Sequence, residues 1–201
     1  MLENRDYTLI IDKSGSMATK DQKDGKSRWL VMQESTFALA SKCEQFDPDG
    51  ITIYLFSSRY KRYDNVTSSK VIQIFQENDP VGSTDMASVL KHAINNYFER
   101  KAEGLTKPNG ETILVVTDGE PDDSDAVEKV IIAASGRIQK DEELAISFIQ
   151  VGQDMQATQF LKRLDDELQK KGAKFDICDT VTIEDIEDMS LSEVLLNAIS
   201  D

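Results

Sequence analysis

The sequence predicts an α/β fold, a doubly wound parallel sheet with helices on both faces. Three observations predict it. Short, near-continuous apolar runs recur along the chain, stretches of helical period lie between them, and several runs end in loops rich in Asp, Ser, Thr and Gly. Apolar runs of strand length suit strands buried on both faces, as in parallel sheets. Strand–helix alternation is the pattern of α/β architecture.

The elements follow in chain order. Residues 7–11 (YTLII) form the first run. Trp29, Met32, Thr36, Leu39, Cys43 and Phe46 then recur every three or four residues, a helix with one inward stripe. Residues 51–56 (ITIYLF) form a second strand, and residues 60–63, before the polar Asp64-Asn65, a short edge strand. A small helix is expected over 69–76. Met86, Val89, Leu90, Ala93, Ile94, Tyr97 and Phe98 mark a longer one, followed by a surface loop at 101–110. Strands at 113–117 and 145–151 flank a helix carrying Val127, Val130, Ile131, Ala134 and Ile138. Phe160, Leu161, Leu164 and Leu168 mark the next helix, residues 175–181 a weaker strand, and Leu191, Val194, Leu195, Ala198 and Ile199 a last helix. No repeat, low-complexity tract or Pro/Gly linker divides the chain, so residues 1–201 read as a single domain.

Composition narrows the function. Hydrophobic residues make up 39% and charged residues 30%, an ordinary globular balance. Lys+Arg number 23 against 37 Asp+Glu, a net charge of -14, which repels phosphate backbones and anionic lipid. Nucleic-acid and membrane partners are therefore not expected. Cys43 and Cys178 lie in no CxxC or Cys/His cluster and read as buried small hydrophobes rather than a redox pair. His92, the only histidine, falls in a helical stretch and reads as a helix-surface residue, which leaves no Ser-His-Asp triad. With no signal-like segment and no run near the about 20 apolar residues of a span, a cytoplasmic location is expected.

The chemistry sits in three loops. Asp12-Lys13-Ser14-Gly15-Ser16 follows the first strand, Gly82-Ser83-Thr84-Asp85 precedes a helix, and Thr117-Asp118-Gly119-Glu120-Pro121 follows the strand at 113–117. In a doubly wound sheet such loops converge at one edge. Asp12, Ser14, Ser16, Thr84 and Asp118 all end in hard oxygen donors, which suit Mg²⁺ or Mn²⁺ rather than zinc or copper. Helix caps and turns account for any one of these residues alone; the three loops together point to a metal. Asp85 reads as a cap, Asp122, Asp123 and Asp125 as charges favoured at a helix start, Glu120 as a rim residue, and Lys13 as solvent-facing. Asp21 and Asp24 are rim residues without an assigned role.

On these motifs the sequence resembles the von Willebrand factor A (VWA) family, which includes the integrin I domains, and within it the intracellular, bacterial-type stand-alone members. The resemblance spans essentially the whole chain. It implies a complete metal-ion-dependent adhesion site (MIDAS), with DxSxS on Asp12, Ser14 and Ser16, the threonine on Thr84 and the last aspartate on Asp118. Ser83 is a small departure, since many relatives have glycine there. The family fold implied is a Rossmann-like sandwich around a six-stranded, mostly parallel sheet with one antiparallel edge strand, which suits residues 60–63.

A Mg²⁺-dependent hydrolase or phosphotransferase finds little support: there is no GxxxxGK[ST] or GxGxxG motif, and Asp12-Lys13-Ser14 lacks the second aspartate of the DxD phosphatase type. The expected function is instead metal-dependent protein binding, without catalysis. Three neutral hydroxyls and at most two carboxylates leave the Mg²⁺ or Mn²⁺ ion electrophilic, ready for a Glu or Asp from a partner protein. A metal that only ties the loops together is a further alternative. The resemblance also implies association with chaperone-like ATPases or stress-response assemblies.

Overall fold

Within the strands, alternate side chains go to opposite faces, so each buried strand feeds two cores at once. The computed structural model describes residues 4–44, 50–182 and 193–194. Its elements are β1 (Asp6–Asp12), α1 (Arg28–Cys43), β2 (Ile51–Phe56), β3 (Tyr60–Val66), α2 (Ser68–Gln76), α3 (Met86–Ala102), β4 (Glu111–Thr117), α4 (Ser124–Ser135), β5 (Leu144–Gln150), α5 (Met155–Glu167) and β6 (Cys178–Val181). They form one six-stranded sheet in the order β3-β2-β1-β4-β5-β6. Only the β2–β3 pairing is antiparallel.

Ile10, Tyr54, Phe56, Ile113, Val115, Ile146 and Phe148 face one core with α3, α4 and α5. Leu9, Ile11, Ile53, Leu55, Leu114, Val116 and Ile149 face the other with α1 and α2. This is the expected doubly wound sandwich. The winding reverses between β1 and β4, and a crevice at the carboxyl ends of these two strands is where such sheets bind ligands. Side-chain caps start the helices cleanly: Ser27 accepts from Leu30 N at 3.1 Å, Asp85 from Ser88 N at 3.2 Å and Asp123 from Ala126 N at 2.9 Å.

The opposite end of the sheet is closed by charge. Glu111, buried at the start of β4, accepts from Thr8 Oγ1 at 2.6 Å and pairs with Arg100, which also reaches Asp6 at 2.8 Å. Beside it, Gly110 has φ +80°, and a Cβ there would lie 2.0 Å from the Glu143 carbonyl oxygen.

Some boundaries differ from the sequence reading. The edge strand β3 runs on to Val66, with a register irregularity opposite Ile51/Ile53. The last strand begins only at Cys178; Phe175 is partly buried against the core ahead of it. α3 includes Lys101 and Ala102, so the loop starts later. Cys43 and Cys178 are both buried, on opposite faces of the sheet, which rules out their pairing with each other. His92 Nδ1 meets the Tyr54 hydroxyl at 3.1 Å and the ring packs near Tyr60, so it is a half-buried packing residue. Phe46 and the last helical stripe lie outside the described residues, except Val194, which is buried in the core shared with α1.

Candidate metal centre

β1 ends at Asp12, and the chain leaves through a short 3-10 turn, Gly15–Ala18. Asp12 is fully buried. Its Oδ1 accepts the Ser14 backbone N–H at 2.7 Å and its Oδ2 the Thr117 hydroxyl at 2.8 Å, from the end of neighbouring β4. Ser14 Oγ and Ser16 Oγ are 3.0 Å apart, and Ser16 Oγ donates to Asp118 Oδ1 at 2.8 Å. Asp12, Ser14, Ser16 and Asp118 thus form one connected set.

Thr84 arrives on a third loop, sewn to the first by backbone. Val81 N–H donates to the Lys13 carbonyl at 2.7 Å and Gly15 N–H to the Gly82 carbonyl at 3.2 Å. Asp122 clamps Thr84 from the third side. Its carboxylate accepts the Thr84 N–H at 3.1 Å and its own N–H donates to the Thr84 carbonyl at 3.0 Å. Thr84 is nearly buried, and its hydroxyl makes no hydrogen bond with the other four residues. Asp122 therefore ties loops rather than charging a helix end, while Asp85 caps α3 as expected and Asp123, expected as a helix-start charge, caps α4. Glu120 accepts from Ser124 Oγ at 3.2 Å on the exposed rim, and Lys13 Nζ donates to the Asp79 carbonyl at 3.3 Å near solvent.

The donor set fits a hard divalent ion. Neighbouring corners of an octahedron with bonds of about 2.0–2.1 Å lie about 2.9 Å apart. The 3.0 Å between the serine oxygens and the 2.8 Å from Ser16 to Asp118 match that edge. Among the described residues no group of three or more His, Cys, Asp or Glu is placed to hold a metal, so a mixed set of Asp with hydroxyls is the arrangement on offer.

Electrostatics make the site receptive. Burial, helped by the Asp118 charge, raises the Asp12 carboxyl to about 6, against hydrogen bonds from Ser14 and Thr117 that lower it. A cation would relieve that cost. One cation is already close: Arg28, the first residue of α1, donates through Nη1 to Asp118 Oδ2 at 2.7 Å. Its Nε reaches both oxygens of Asp21 at 3.0 and 3.1 Å, and Nη2 also meets Asp21. These two carboxylates, Asp21 foremost, raise the guanidinium pKa. Sequence reasoning missed Arg28. It placed Thr117 in its motif loop and Asp21 on the rim without a role for either, and no spacing signal marks Arg28 or Asp21.

The chain matches the vWA-TerF-like family, described as the vWA found in the TerF C terminus, over residues 5–200. It belongs to that family. Solved structures share the vWA fold at low identity. The D319A mutant of the PilB minor pilin from Streptococcus sanguinis is 14% identical with a TM-score of 0.67, covering 98% of this chain and 61% of its own. The pilus adhesin SpaC from Lactobacillus rhamnosus GG is 15% identical with a TM-score of 0.62, covering 99% and 30%. Manganese-loaded TRAP protein of Plasmodium vivax is 16% identical with a TM-score of 0.58, covering 97% and 74%. The vWA chain thus spans under two thirds of the first two proteins. No curated protein matches it.

Proposed function

We propose that this vWA domain is a divalent-metal-dependent protein-binding module. Asp12, Ser14, Ser16, Thr84 and Asp118 would hold Mg²⁺ or Mn²⁺ as a complete MIDAS, and a Glu or Asp of a partner protein would complete the shell. The observation that carries this reading is the run of Ser14, Ser16 and Asp118 oxygens at octahedral-edge spacing, with Asp12 joined to it through the Ser14 N–H. The manganese in the TRAP structure, on the same fold, supports a divalent ion. When bound, the ion supplies Lewis acidity toward an anionic oxygen. The chain's own residues orient that ion: Ser14 N–H and Thr117 fix the Asp12 carboxylate, and Asp122 fixes the Thr84 backbone.

Catalysis is not part of the proposal. The histidine sits on α3 against Tyr54 rather than in the set. Among the described residues, no helix is long and apolar enough to cross a membrane. Two buried cysteines that do not pair with each other support a reducing, cytoplasmic setting. The partner is proposed to be a protein with an exposed acid on a neutral or basic surface, since the -14 charge repels acidic ones. A chaperone-like ATPase or stress-response assembly is the proposed context.

Titration calorimetry with Mg²⁺ and Mn²⁺ tests the ion: wild type binds, and folded Asp12→Ala does not. Equal affinity in both would overturn the site. Capture of partners in Mg²⁺ against EDTA, identified by mass spectrometry, tests the function. Partners retained equally in both would make the metal structural.

A further inference from the structure

We propose that Arg28 is a resident counter-cation of the metal centre, neutralising Asp118 in the metal-free protein and lowering the affinity for the ion so that a bound ion keeps its pull on an acidic ligand. The inference rests on the metal-binding reading above and concerns a residue outside the five proposed ligands.

Four observations support it. Arg28 opens α1, where the positive end of the helix dipole disfavours a cation. A residue that breaks a local rule there needs a tertiary reason. That reason is Asp118, whose side chain is fully buried, while the Arg28 side chain is only 12% exposed; a pair so enclosed is little screened by salt. The guanidinium is also seated in a made space. Gly152, just past β5 with φ +83°, has no Cβ, and one there would lie 2.4 Å from the Arg28 Cζ. Finally, Asp21 grips the outer side through Nε and Nη2, so the fork cannot swing away without losing both anchors.

The geometry divides the Asp118 carboxylate between two roles. Oδ2 belongs to Arg28, and Oδ1 faces Ser16 and the rest of the set. An ion would therefore share Asp118 with a fixed positive charge. Two consequences follow. Repulsion weakens the ion's binding. Arg28 also makes the surroundings of a dication one charge more positive than Asp12, Asp118 and Asp21 alone would, which strengthens attraction for a carboxylate from outside. Removing Arg28 should therefore move metal affinity up and acid affinity down, opposite signs that loss of mere packing does not produce.

The test titrates Mg²⁺ and Mn²⁺ alone into wild type, Arg28→Gln, Arg28→Lys and Gly152→Ala, with thermal melting in EDTA and in Mg²⁺. Arg28→Gln should bind the ions about tenfold tighter or more. It should melt lower than wild type in EDTA, and gain more from Mg²⁺. Arg28→Lys keeps the charge and should restore near-wild-type affinity. A folded Arg28→Gln that binds the ions as wild type does, or more weakly, overturns the proposal. If Arg28→Gln does not fold, Gly152→Ala decides. A Cβ there displaces the guanidinium from Asp118 and should tighten ion binding, and unchanged or weaker binding overturns the proposal. Failure of the metal reading looks different: wild type and Asp12→Ala then bind the ions equally, whatever happens at position 28.

Discussion

Replacing Asp12 by Asn should make the metal-free protein more stable at neutral pH while abolishing ion binding. The carboxylate is fully buried and lifted from 3.8 to about 6, chiefly by burial. The unfolded chain releases the proton near the ordinary value and the folded chain holds it longer. Between these two pH values the folded state binds more protons than the unfolded state, so stability falls as pH rises through the window and stays low above it. At about 1.4 kcal/mol per pH unit, the full cost above pH 6 is about 3 kcal/mol. Asn keeps an oxygen to accept the Ser14 N–H, and its amide can donate to Thr117 Oγ1, whose rotor is free to turn. Burial of the amide takes back part of the gain, for a net stabilisation of about 2 kcal/mol.

Urea unfolding in EDTA at pH 7.5 and at pH 4.0 reads this directly. The variant should exceed wild type by about 2 kcal/mol at pH 7.5, and the difference should nearly vanish at pH 4.0, where the folded wild type carries a protonated Asp12. In Mg²⁺ the order should reverse, because only wild type gains from the ion. A variant less stable than wild type in EDTA at pH 7.5 would refute the reasoning, since Asp12 would then be serving the fold rather than straining it.

At the far end of the sheet, Arg100→Ala leaves Glu111 buried without its cation and should cost about 3–5 kcal/mol by chemical denaturation, with Glu111→Gln in the same chain recovering part of it. Gly110→Ala forces a Cβ onto the Glu143 carbonyl at positive φ and should cost more than about 2 kcal/mol, read as a lowered thermal midpoint. Purified protein should show no Mg²⁺-dependent hydrolysis of nucleotides or phosphomonoesters; turnover lost in Asp118→Ala would replace the binding module with an enzyme.

Strands were legible where burial on both faces wrote continuous apolar runs, as in β2 and β4, whose bounds fall within two residues of expectation. β3 was harder because Lys61, Asp64 and Asn65 in it are exposed, so the sequence turns polar before the pairing stops. The last strand was overread because Phe175 and Ile177 look like strand residues yet pack on the core ahead of it. At the centre, the five oxygens were visible because each follows a strand or precedes a helix. Arg28 was not. An arginine at a helix start reads as a solvated charge, and its partners Asp21, Asp118 and Gly152 are brought to it only by the fold. Asp122 was misread for the same reason: a local helix-end rule explained it before its distant partner Thr84 was known.

The seat of Arg28 over Gly152 binds the fates of two positions far apart in the chain. No side chain fits at 152 while the guanidinium lies there, and φ +83° favours glycine there in any case. Lineages of this domain that keep the arginine should thus keep the glycine, while the glycine can persist without the arginine. Grafting the arginine alone into a relative with a bulky residue at the position equivalent to 152 should fail to place it on the aspartate, and the pair should transplant where either half does not.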